Sequence, residues 1–160
     1  MIIDMHTHAG RTRRNVPVDQ AVLATMREGQ IGAAVISAIA DLPVIRRNPE
    51  TRALEKIRDP RPGECWEAVD EYLAAFETAS AALGIRIARE PGDIAADDPS
   101  LVLAVEGCDF LEGNLDRLDA LEARGVRSIQ LVHYLINETG DIQTAPPVHG
   151  GLTAFGADAV

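Results

Sequence analysis

Four positions carry side chains able to hold a metal ion or move a proton: His6, His8, Glu106 and His133. Each closes or follows an apolar run. Ile2-Ile3-Asp4-Met5 leads into His6-Thr7-His8, Leu101-Val102-Leu103-Ala104-Val105 into Glu106, and Ile129-Gln130-Leu131-Val132 into His133. In parallel α/β folds, ligands gather at the carboxyl ends of the strands, so these groups are expected on one rim. Residues i and i+2 of an extended backbone project to the same side, which lets the imidazoles of His6 and His8 reach one ion. A carboxylate at a strand mouth is costly to desolvate without a cation or a donor. Beside two histidines, Glu106 therefore reads better as a metal-bridging ligand than as a solvated strand end. For His133 three readings stand open: ligand, substrate-orienting donor, or buried hydrogen-bonded histidine.

The remaining candidates read as structure. His149 sits in a polar loop, Cys108 as a small buried thiol, and Trp66 with Phe76 on the packing face of a helix. Arg11, Arg13 and Arg14 read as a solvated loop. GxGxxG, GxxxxGK[ST] and GxSxG are all absent, which removes the main support for dinucleotide, P-loop and serine-nucleophile chemistry.

The elements that must position these groups alternate. Strands are predicted at Ile2–His6, within Ile31–Ala40, at Leu101–Val105 and at Ile129–Val132, with a short one at Ile85–Ala88. Helices are predicted at Val18–Gly29, Glu64–Leu83 (stopped by Gly84) and from an Asn114 cap to Gly125, with another opening at Ala154. Gly10–Pro17 reads as loop. The proline-broken stretch 41–63 is irregular, with a short helix predicted over Glu50–Arg58. The order β-α-β-α-β-α-β argues for a parallel sheet covered by helices, either open or the first part of a (β/α)8 barrel.

Composition narrows the partners. The 160 residues carry a net charge of −10, which disfavours nucleic acid and anionic membranes. The imbalance is uneven: residues 1–61 hold ten basic and seven acidic side chains, residues 62–160 five and eighteen. Two distant cysteines argue against a disulfide framework, and no signal peptide or membrane-length apolar run occurs, which points to a soluble, cytoplasmic chain.

Five segments in order carry a resemblance. They are Ile3-Asp4-Met5-His6, Val105-Glu106-Gly107, Gly125-Val126-Arg127-Ser128-Ile129-Gln130-Leu131-Val132-His133, Asn137-Glu138-Thr139-Gly140-Asp141 and Gly151-Leu152-Thr153-Ala154-Phe155-Gly156. Together they resemble the renal or membrane dipeptidase family of zinc metallopeptidases. The resemblance implies a (β/α)8 barrel with two zinc ions activating a bridging hydroxide, and hydrolysis of dipeptides with tolerance for a C-terminal D-residue. It makes His6 a ligand, Glu106 the bridge between metals, and His133 a group on the substrate or its tetrahedral intermediate. His8 stands where the family usually has Asp; it is a competent ligand that changes the charge of the site.

Such a barrel needs about 250 residues and eight strands. The chain is therefore expected to be a single barrel domain over 1–160, cut at its C-terminus to the N-terminal half and inactive alone. Its acidic surface and open sheet edges are compatible with a homodimer. Two alternatives remain at this level: another amidohydrolase or phosphoesterase built on the same histidine pair, and a non-catalytic half-barrel that binds metal.

Overall fold

A computed structural model describes residues 1–8 and 24–160 of the chain. The expected loop Gly10–Pro17, with Arg11, Arg13 and Arg14, and the first part of the Val18–Gly29 helix lie outside the described residues. Seven strands and four α-helices are described: β1 (Ile2–Thr7), α1 (Ala24–Glu28), β2 (Ile31–Ile39), β3 (Ile45–Arg47), β4 (Leu54–Lys56), α2 (Glu64–Leu83), β5 (Arg86–Ile87), β6 (Ser100–Glu106), α3 (Asp116–Arg124), β7 (Val126–Gln130) and α4 (Ala154–Asp158). The main sheet runs β1-β2-β6-β5, with β7 also paired to β6. The β1/β2 and β5/β6 pairs are parallel. The fold class is the expected one, an α/β chain with a parallel sheet.

The apolar runs explain the central strands. Ala33, Ala34, Ile36 and Ala38 of β2 and Leu101, Leu103, Ala104 and Val105 of β6 are buried, as suits strands covered on both faces. Helix α2 buries Cys65, Ala68, Val69, Tyr72, Leu73 and Phe76 along one stripe, while Glu67 and Glu71 face solvent. By contrast β1, at the end of the sheet, leaves Ile2, Ile3 and Met5 exposed.

The chain divides into two compact units. The first comprises Met1–Ala38, Glu71–Ala104 and Glu122–Ser128. Its core includes Met26, Ile36, Leu73, Phe76, Leu101 and Leu103, and Arg124 forms a two-pronged ion pair with Glu77. The second comprises Ile39–Asp70, Val105–Leu121 and Ile129–Val160. Here Val44, Ile45 and Leu135 form a small apolar cluster, with Leu42 against it. Arg117 lies over the Trp66 ring, which packs on Phe110.

One predicted element is replaced by another. Glu50–Arg58 does not form a helix, because Leu54–Lys56 pairs antiparallel with Ile45–Arg47. The side chain of Asn48 accepts from the backbone N–H groups of Glu50 and Thr51, so the chain turns there instead of winding on. Arg52 completes that turn with φ 64°. Among the described residues no helix is long and apolar enough to cross a membrane.

Candidate metal and catalytic site

The histidine pair belongs to the first unit. His6 lies within β1, and its backbone N–H donates to Asp4 Oδ1 at 3.1 Å. His8 lies just beyond the strand, and the two Nε2 atoms face one another at 3.0 Å. The rings meet edge to face, with centroids 4.6 Å apart. His8 Nδ1 is 3.4 Å from the Ser37 carbonyl, so a proton held there is directed at an acceptor and the lone pair of Nε2 is turned toward His6.

A second cluster is built by the second unit at the ends of β2, β6 and β7. Glu106, the last residue of β6, is 5% exposed. Its carbonyl accepts from Ala40 N–H at 3.0 Å, and the next two backbone N–H groups, of Gly107 and Cys108, donate to Gln130 and Leu131. Gly107 has φ 82°, and a Cβ there would fall 2.6 Å from Asp109 Oδ2 and 3.3 Å from His133 Cβ. Glycine is thus what lets the strand turn toward the cluster.

Strand β7 ends at Gln130 rather than running to Val132, so His133 sits in the turn beyond it. The reason is that the Leu131 carbonyl is taken by Cys108 N–H, the Asn137 amide and the Thr139 hydroxyl. This turn carries His133 between two acids. Its Nδ1 is 2.8 Å from Asp41 Oδ1, and its Nε2 is 3.4 Å from Glu106 Oε2. Burial works against the charged ring. The Asp41 hydrogen bond and the charges of Asp41, Glu106 and Asp109 outweigh it, and the His133 pKa is raised.

Asp109 is the third acid. Burial, and then the charge of Asp41, push its pKa up to about 6, against a lowering hydrogen bond from the Asn137 amide. Asp41 and Asp109 are absent from the sequence-based candidates. Asp41 carries a legible signal, since it follows the buried run Ile31–Ala40 just as Glu106 follows Leu101–Val105. Asp109 follows no such run and offers none.

The resemblance segments also have local work. Thr153 caps α4, accepting from Gly156 N–H at 2.9 Å and donating to the Glu138 carbonyl. Asp141 closes its loop by accepting from the N–H groups of Val148, His149 and Gly151. His149 is exposed in that loop, as expected. Burial raises the Cys65 and Cys108 thiols to about 12, which fits packing rather than chemistry.

The first unit thus offers two paired imidazoles, of His6 and His8, and the second a strand-end carboxylate, of Glu106. Two imidazole nitrogens and a carboxylate oxygen are a donor set suited to a divalent transition metal. The His133 ring is engaged by Asp41 and Glu106.

No curated protein matches the chain. Among solved structures, an amidohydrolase from Pseudomonas aeruginosa superposes with a TM-score of 0.68 at 15% identity, over 99% of this chain and 41% of its own. The probable dipeptidase PvdM from Pseudomonas aeruginosa gives 0.73 at 20% identity, over 99% of this chain and 43% of its own. The chain thus spans less than half the length of either. The likeness shows a shared fold, in keeping with a half barrel. The family model described as membrane dipeptidase (peptidase family M19) matches residues 2–160, and the chain belongs to that family.

Proposed function

We propose that this chain contributes the first metal-binding half of a zinc-dependent dipeptidase. The observation that carries the reading is the pairing of His6 and His8 at the end of β1, with their Nε2 atoms 3.0 Å apart. Membership of the membrane dipeptidase family supports it. A bound zinc ion would supply water of lowered pKa and polarise the scissile carbonyl.

The chain's own residues then divide the work. His6 and His8 would hold the ion, and Glu106 would add the anionic donor. His133, 12% exposed at its side chain, binds the substrate. The neighbouring carboxylates favour its imidazolium, which donates from Nε2 to the oxygen that becomes negative as the peptide carbonyl is attacked. Substrates are dipeptides, and with its thiols buried and unpaired the protein suits a reducing, cytoplasmic setting.

The test is hydrolysis by the intact natural protein, replenished with zinc and offered L-L dipeptides, L-D dipeptides and phosphoesters. Cleavage of dipeptides alone is expected. Cleavage of phosphoesters with dipeptides untouched would overturn the assignment.

A further inference from the structure

Of the chain's six aromatic side chains, Tyr72, Phe76 and Phe110 are buried, Trp66 and Phe155 are half-buried, and Tyr134 is exposed at 38%. The exposure does not come from a loose backbone. The Tyr134 N–H donates to Asp41 Oδ2 at 2.9 Å, and Asp41 is itself fully buried. Leu135, the next residue, is buried in a cluster with Val44 and Ile45. His133, the residue before, has its ring against Asp41 Oδ1 at 2.8 Å. Both neighbours are anchored, and the tyrosine ring between them stands out from a fixed base.

On an extended backbone, consecutive side chains point to opposite sides. In this turn they meet instead: the Tyr134 and His133 rings have centroids 4.3 Å apart and planes inclined at 68°. An exposed aromatic face therefore borders the imidazole assigned to the substrate. Tyrosine offers a large apolar area on only two side-chain torsions, so little entropy is lost when a partner covers it.

We propose that the Tyr134 ring is a specificity wall, packing against the side chain of the substrate's first residue and favouring dipeptides with an aromatic residue there. This rests on the dipeptidase reading, in which His133 faces the oxygen of the scissile carbonyl. That carbonyl belongs to the first residue, whose side chain branches from the adjoining carbon and is the substituent closest to a ring beside His133.

The experiment measures kcat/KM of the intact natural protein, supplied with zinc, on Phe-Ala and on Ala-Ala. Wild type is expected to favour Phe-Ala at least about 10-fold. Tyr134→Ala should bring the two substrates within about 2-fold of each other, chiefly by raising KM for Phe-Ala. Tyr134→Phe should keep the wild-type preference, because the ring rather than the hydroxyl makes the contact.

A wild-type protein that does not favour Phe-Ala overturns the proposal, and this result stands even if Tyr134→Ala does not fold. So does an equal loss on both peptides in Tyr134→Ala, the mark of a ring that only packs on His133. Cleavage of neither peptide by wild type would bring down the dipeptidase reading and the proposal together, whereas cleavage of both without preference strikes the role of Tyr134 alone.

Discussion

His6 Nε2 and His8 Nε2 stand 3.0 Å apart, too close for two protons and well placed for two lone pairs around one cation. The spacing follows from β1, whose pleat sends alternate side chains to one side, and from the Ser37 carbonyl facing the far nitrogen of His8.

This donor set predicts metal preference. Imidazole-rich sites favour zinc and cobalt, whereas calcium and magnesium prefer oxygen ligands. Zinc at about 100 times its Kd should add about 2.7 kcal/mol to stability, read as a rise in thermal midpoint, and calcium should add little. His8→Asp should shift the balance toward the harder ions. Equal stabilisation of the wild-type chain by calcium and zinc would contradict the histidine-centred site.

The packing of Gly156 makes a second prediction. A Cβ at this position would collide with the Thr139 backbone carbonyl, which cannot swing aside, and would crowd Leu152 Cδ1 as well. Gly156→Ala should therefore cost at least about 1–3 kcal/mol by urea denaturation. Thr153→Ala, which removes the cap of the same helix, should cost about 1 kcal/mol. A neutral Gly156→Ala would mean that α4 does not pack here as described.

Asp141 predicts a pH dependence. The backbone N–H of Val148 heads the hydrogen bonds that lower its pKa to about 2. An unfolded aspartate titrates near 3.9, so the folded chain gains stability above that pH and loses it as the pH falls toward 2. Asp141→Asn should be less stable than wild type near pH 6, with the gap closing toward pH 2. Denaturation midpoints across that range check it, and a gap independent of pH would show that the carboxylate charge is not what matters.

Much of this was legible in the sequence, for identifiable reasons. The runs Ile31–Ala40 and Leu101–Val105 read as buried strands because burial on both faces leaves continuous apolar sequence, and β2 and β6 lie there. Residues at the ends of such runs point to sites, which located Glu106. The same logic applied to Asp41 would have found the partner of His133. The short helix expected over Glu50–Arg58 fails because turn chemistry at Asn48-Pro49 outweighs helix propensity. The end of β7 was misplaced because the Leu131 carbonyl is claimed by residues distant in sequence, which no local pattern encodes.

The central claim is that the His6–His8 pair holds a divalent cation, with Glu106 as its proposed anionic donor. Zinc titration by calorimetry, on the wild-type chain and on His6→Ala, His8→Ala and Glu106→Gln, tests it most directly. The expected result is saturable zinc binding by wild type, weakened at least about 10-fold by each substitution, with the fold retained by circular dichroism. Zinc binding that survives all three substitutions unchanged, or a folded wild-type chain that takes up none, would contradict it.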